Sequence, residues 1–151
     1  MRNNSFIGMS EAAQVLERVQ ETIVQHQRSS VTLSRQKTLA EVFQAFREAD
    51  EGWKVSEGDN PISEEVMETA CRFVESLPFG IPSPTVAGEP DGHISFEWYK
   101  NSRRLLTVSI GPGGRLHWAA LIGSEDPRGS GRFDSRIPDT ILFCIQRVLV
   151  G

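Results

Sequence analysis

Alternation of apolar and polar residues is the clearest pattern in the chain, and it occupies three successive segments, 93–100, 104–110 and 115–122. In the first segment Ile94, Phe96 and Trp98 alternate with polar side chains, and the period of two recurs in the other segments. This period is that of a half-buried β-strand. The links 101–102 and 111–114 have the composition of hairpin turns. The pattern therefore predicts an antiparallel β-meander.

The register of this meander follows from the requirement that the apolar faces of neighbouring strands coincide. One register that meets it gives the core-face pairs Trp98–Leu106, Phe96–Val108 and Val108–Trp118. On the opposite face it gives the pair Glu97–Thr107 and the row Ser95–Ser109–His117. A slip by two residues would change these pairs.

Helical periodicity flanks the predicted strands. Apolar residues recur at three- and four-residue steps over 10–26 and again over 34–49, with a break expected at 26–30. The second of these helices should bury Leu39, Val42, Phe43 and Phe46. A third helix should start at the cap Ser63 and end before Pro78. The last helix should begin near 134–135 and hold Pro138 in its first turn.

These elements predict an α+β fold, a three- to five-stranded antiparallel β-meander packed by helices, with an N-terminal helical segment. Short edge strands are expected at 85–87 and 132–133. Residues 1–33 would form an N-terminal helix and a candidate oligomerisation arm, and residues 34–151 a single α+β domain.

Composition narrows the class of protein. The chain has 151 residues, of which 38% are hydrophobic and 24% charged, as in globular proteins. It contains neither a membrane-spanning apolar run nor a signal-peptide core, so a cytoplasmic protein is expected. A net charge of −4 disfavours nucleic-acid binding. Acidic residues dominate 61–100 and arginines dominate 101–151, which leaves an arginine-rich surface for an acidic partner open.

The chain contains several groups of side chains whose chemistry resembles known functional sites. Asp91, Glu97 and Lys100 resemble the metal-binding residues of restriction nucleases, but their spacing puts Glu97 and Lys100 on opposite strand faces. Ser95, Ser109, His117 and Glu97 could form a hydrolase site, although the chain has no GxSxG elbow. The glycine-rich runs 111–114 and 129–132 favour turns over phosphate loops. Cys71 and Cys144 are expected to be free, and no metal or cofactor is predicted.

The run Gly52-Trp53, Pro61-Ile62-Ser63, Leu77-Pro78 and 90–98 (PDGHISFEW) resembles a widespread family of uncharacterised bacterial proteins. These proteins share a GWDG-type segment, a helix ending in LP and a PDGxIxxEW strand. The resemblance covers residues 39–150 and departs at Lys54, where the family favours aspartate. It implies a bacterial or phage origin and the same order of elements, without an activity.

The hypothesis that follows is a non-enzymatic protein–protein interaction or regulatory protein, which binds a protein partner or itself. The resemblance suggests an accessory role such as toxin neutralisation or phage–host conflict. A small enzyme or nucleotide-binding protein and a nucleic-acid-binding protein are the alternatives. The predicted interaction surface consists of Trp53, Ser95, Glu97, Tyr99, Thr107, Ser109, His117, Arg128, Arg132 and Arg136.

Overall fold

The computed structural model describes residues 11–51 and 61–150, and it confirms the predicted α+β class. Its α-helices are α1 (Glu11–Glu51), α2 (Glu64–Ser76) and α3 (Asp139–Val150). Its strands are β1 (Thr85–Gly88), β2 (Ile94–Asn101), β3 (Arg104–Gly111), β4 (Arg115–Ile122) and β5 (Arg128–Arg132). A short 3₁₀ turn, Pro112–Gly114, joins β3 to β4. No helix within these ranges has both the length and the apolar character to cross a membrane.

The five strands form an antiparallel meander in the order β1-β2-β3-β4-β5. The register predicted from the sequence is confirmed, since Trp98 pairs with Leu106, Phe96 with Val108 and Val108 with Trp118. The expected edge strand at 85–87 is present as β1. The other edge strand begins earlier than predicted, at Arg128, because its inward positions are glycines and show no apolar signal.

The break predicted at 26–30 is wrong, because α1 is helical throughout. Those residues are polar but include no proline and no glycine, so none of them interrupts the backbone hydrogen bonds of a helix. The chain divides into two compact units between Leu33 and Ser34. In the first unit, the side chains of Val15 and Val19 are 55% and 49% exposed.

The second unit contains the hydrophobic core, which lies between one sheet face and the helices. Phe73 of α2 is fully buried, and its ring centroid lies 5.1 Å from that of Phe96 and 5.7 Å from that of Phe133. Full burial of such a side chain contributes about 1.5–3 kcal/mol. From α1, Val42 enters the core as predicted, whereas Phe43 is 46% exposed and its predicted burial is wrong. Phe43 lies about 100° further round the helix, away from the buried stripe.

The ends of α2 and α3 show how local chemistry sets the helix boundaries. Ser63 caps α2 as predicted, and its Oγ accepts the backbone N–H of Val66 at 3.2 Å. The start predicted for α3 near 134–135 is wrong, since the helix begins at Asp139. Pro138 disfavours helical geometry at the residue before it, so the helix starts after the proline. The Pro138 carbonyl then accepts the N–H of Ile141.

Candidate functional site

The sheet face opposite the core carries most of the side chains that the sequence predicted as an interaction surface. We call this the polar face. Strand alternation and register place the following predicted residues on it: Ser95, Glu97, Tyr99, Thr107, Ser109, His117, Arg128 and Arg132. Arg136 does not lie there, because it belongs to the segment before α3, where its Nη2 is 3.1 Å from Oδ1 of Asp139. Trp53 lies outside the described residues.

The register arranges the polar face in rows that cross the strands. The row through Ser95 consists of Ala87, Ser95, Ser109, His117 and Ser130. The next row consists of Thr85, Glu97, Thr107, Ala119 and Arg128. Beyond it lies an apolar row of Tyr99, Leu105 and Leu121. At the other end of the strands lies a charged row of Glu89, His93, Gly111, Arg115 and Arg132.

The serine and histidine residues of this face do not form a nucleophile–base pair through Ser95. Ser95 is only 7% exposed, and its hydroxyl donates to Oε1 of Glu89 at 2.7 Å. His117 lies two strands away, a separation of about 10 Å for neighbouring strands about 4.8 Å apart. Glu97 is equally separated from His117 and lies in a different row. Ser95 and Glu97 are therefore beyond hydrogen-bond reach of His117, whereas Ser109 stands directly across from it. The hydrolase alternative keeps this one serine–histidine neighbour, but Glu97 does not lie beside the imidazole to complete a triad.

His93 occupies the charged row and was absent from the predicted surface. Its Nδ1 is buried 2.9 Å from Oδ1 of Asp91, although the two atoms are not aligned for a hydrogen bond. The same Oδ1 accepts the backbone N–H of His93 at 3.1 Å. The imidazole covers Gly111 so closely that a Cβ there would lie 2.1 Å from Nε2. Its ring centroid is 6.3 Å from that of His117.

Charge is divided across the polar face. Glu89, Asp91 and Glu97 lie on β2 or in the β1–β2 connection, and we call them the acidic half. Arg115, Arg128 and Arg132 lie on β4 and β5, and we call them the basic half. Arg128 has a carboxylate partner in Asp126, at 2.7 Å. Arg132 donates from Nε to the Gly113 carbonyl at 3.0 Å, and it stands directly across from Arg115.

The predicted interaction surface omitted Glu89, Asp91, His93 and Arg115, although the alternation along the first segment already puts His93 on the same face as Ser95. The same alternation along the third segment also puts Arg115 on the face of His117. The two carboxylates lie in a connecting turn, whose path is not encoded in a period of two. Their positions therefore required the structure.

The structure does not bring together the residues of the nuclease-like arrangement, and neither glycine-rich run forms a phosphate-binding loop. Glu97 lies on the polar face, whereas Lys100 donates from Nζ to the Leu149 carbonyl of α3, at 3.2 Å. The run 129–132 lies within strand β5 and forms no loop before a helix. In the turn before β4, the Gly113 N–H donates to Oε1 of Glu65 at 3.1 Å, so a protein carboxylate takes the place a phosphate oxygen would need.

The cysteines lie away from the polar face. Burial, with a smaller contribution from Glu75 and Glu68, raises the pKa of the Cys71 thiol. Burial likewise raises the pKa of the Cys144 thiol in the core. Because the thiolate is the nucleophilic form, both residues are poor nucleophiles at neutral pH.

Three surface cavities lie away from the polar face. An open cavity of about 540 Å³ is lined by Ala40, Phe43 and Met67 of α1 and α2, with two neighbours. Cavities of about 450 and 430 Å³ border α3, against residues 78–82 and against Arg104 and Ile122. None of these three is lined by a residue of the polar face.

Comparisons with protein-family models, with curated proteins and with solved structures find no match to this chain. The family resemblance seen in the sequence, and the bacterial or phage origin it implies, therefore stay predictions.

Proposed function

We propose that this protein is a non-enzymatic, cytoplasmic protein-binding protein whose interface is the polar face. The observation that carries the proposal is the exposed apolar row beside rows of small polar side chains. Tyr99 is 60% exposed and Leu121 is 40% exposed on this face of the sheet. Flat surfaces with exposed aromatic and aliphatic side chains inside a polar rim suit macromolecular partners better than small substrates.

The alternatives have weaker support on this face. An enzyme needs groups that converge, and the strand between Glu97 and His117 holds them apart. A nucleic acid would be attracted to Arg115 and Arg132 but repelled by the acidic half. Shape and charge together therefore favour a protein partner.

Site-specific photo-crosslinking tests this proposal in cells that express the full chain. A benzophenone side chain in place of Glu97, which is exposed on the polar face, should give a protease-sensitive adduct. The same side chain in place of Glu75, exposed on α2, is the matched control and should give none. Equal adducts from both positions, or none from Glu97, would contradict the proposal. A nuclease-sensitive adduct would favour nucleic-acid binding instead.

A further inference from the structure

The polar face has charge at both ends of its charged row and none in the middle. Glu89 lies at the β1 side, close to His93 and Asp91. Arg132 and Arg115 lie at the β5 side. The central strand, β3, contributes only Leu105, Thr107, Ser109 and Gly111 to this face. The acidic and basic halves are therefore separated by one uncharged strand.

A twofold axis parallel to β3 would match this face to itself. Such an axis turns each row end for end, so β1 lies over β5 of the second copy and β2 over its β4. Glu89 then faces Arg132 of the second copy, and Thr85 faces its Arg128. Two opposite-charge contacts between Glu89 and Arg132 arise together, because an isologous interface repeats every contact.

The same operation matches the apolar row. Tyr99, on β2, comes to lie over Leu121 of the second copy, on β4. Leu105, on the axis, meets its own counterpart. The hydroxyl row behaves similarly, with Ser95 over His117. Twist turns face-to-face sheets by about 30°, so the rows match most closely near the axis and are offset at the edges. The long side chains of Glu89 and Arg132, which lie at the edges, have to span that offset.

We infer that the partner of the polar face is a second copy of this chain, bound face to face about a twofold axis along β3. This inference rests on the proposed function and names its partner. The end pair of the charged row, Glu89 with Arg132, and the apolar row are complementary to themselves under one operation, while His93 faces Arg115 in the middle of the charged row. An unrelated partner would require no such symmetry within a single chain.

The area of the polar face limits the expected affinity of the dimer. Strands β2, β3 and β4 are about 26 Å long, β1 and β5 are about half to two thirds of that length, and at about 4.8 Å between strands they present about 500 Å² per copy. Two copies bury about 1,000 Å², which is at the lower limit for specific interfaces. We therefore expect a reversible dimer with a Kd on the order of micromolar, weakened by salt because exposed charge pairs are screened.

Charge reversal in the full chain, followed by sedimentation velocity over a concentration series, tests the symmetry directly. Arg132→Glu places two glutamates opposite each other, and Glu89→Lys places a lysine opposite an arginine. Each variant alone should weaken dimerisation at least tenfold. An equimolar mixture should dimerise again, because one heterodimer contains both restored contacts. Arg136→Glu, off the polar face, is the control and should dimerise like the original chain.

A variant in the apolar row tests the same interface without changing any residue of the charged row. Leu121→Lys alters an exposed position of the apolar row and should also yield monomers, with circular dichroism checking that each variant is folded. A monomeric original chain would overturn the inference. So would a dimer that survives all three changes, or a mixture that stays monomeric. Protein adducts from Glu97 with a monomeric chain would overturn this inference alone and leave the proposed function standing.

Discussion

At the scale of single residues, strand β5 combines the polar face with a site for a large aromatic side chain. Its outward residues are Arg128, Ser130 and Arg132, and glycines occupy the positions between them. The indole of Trp118 lies over those glycines, and its ring edge occupies the space that side chains would fill. The absence of Cβ atoms on the inner side therefore allows Trp118 to pack against the last strand.

Gly129→Ala should destabilise the protein, because its Cβ would lie 2.3 Å from Cζ2 of Trp118. The indole would have to move, and overpacking of this kind costs about 1–3 kcal/mol. Gly131→Ala is the matched control, since its Cβ would lie 3.6 Å from Cζ3 of the same ring, an ordinary contact. We expect its effect to stay within about 0.5 kcal/mol. Urea unfolding measures both, and equal losses would contradict the packing described.

Much of the polar face could be predicted residue by residue from the alternation of side chains along each strand. Ser95, Ser109 and His117 alternate with large apolar residues, so burial of one face places them together on the other. The inner positions of β5 carry no such signal, since glycine has no side chain that would mark the buried face of the strand. That is why Arg128 and Arg132 could be identified as candidates but could not be assigned to a row.

At the scale of elements, basic side chains connect the C-terminal end of α3 to the sheet. Arg104 donates from Nη1 to the Arg147 carbonyl at 2.9 Å, and Lys100 donates to the Leu149 carbonyl. The last carbonyls of a helix lack partners within the helix and form its negative end, so cations stabilise them. Arg147 itself bonds Glu125 in the β4–β5 connection, with Nη1 2.7 Å from Oε2.

The Glu125–Arg147 pair predicts a pH-dependent contribution to stability. The hydrogen bond from Arg147, reinforced by its charge, lowers the pKa of Glu125 below the ordinary value of 4.5. A carboxylate with a lowered folded-state pKa stabilises the fold above its unfolded-state value and loses that effect as the pH falls through the folded-state value. Glu125→Gln should therefore lower the Tm slightly at pH 7 and make no difference in strong acid.

Calorimetric melts of the original chain, Glu125→Gln, Arg147→Gln and the double variant, recorded across the acid range, provide the measurement. The coupling between the two changes should be small, since both groups are exposed, and should fade below about pH 4.5 and in high salt. A coupling that persists unchanged in strong acid would show that the pair acts through packing and not through the Glu125 carboxylate.

The order of elements could be predicted because strands β2, β3 and β4 and each packed helix have a clear period. The two errors in helix boundaries have different physical origins. Polar residues without proline or glycine, as at 26–30, are compatible with a helix as well as with a loop, and α1 continues through them. Residues before a proline, as at 134–137, are compatible with a polar turn, and α3 begins only afterwards.

At the scale of the whole molecule, the two faces of the sheet have different roles. One face is closed by α2, α3 and the part of α1 from Ser34 onwards, and every residue of that core cluster lies at Val42 or later. The other face carries the rows on which the proposed function depends. The division of charge between its two halves became visible only when the register of β5 and the path of the β1–β2 turn were known.

A chain that begins at Ser34 should fold, because it retains the whole core cluster and all five strands. We expect a cooperative urea transition with a slope of about 1–3 kcal/mol/M, usual for a small domain. Near-UV circular dichroism should keep the signals of Trp98, which is 2% exposed, and of Trp118. Loss of the cooperative transition would show that residues 1–33 are needed for folding. If the shortened chain folds and still dimerises reversibly, the interface lies in 34–151 as inferred; if it folds and becomes monomeric, residues 1–33 are the oligomerisation arm.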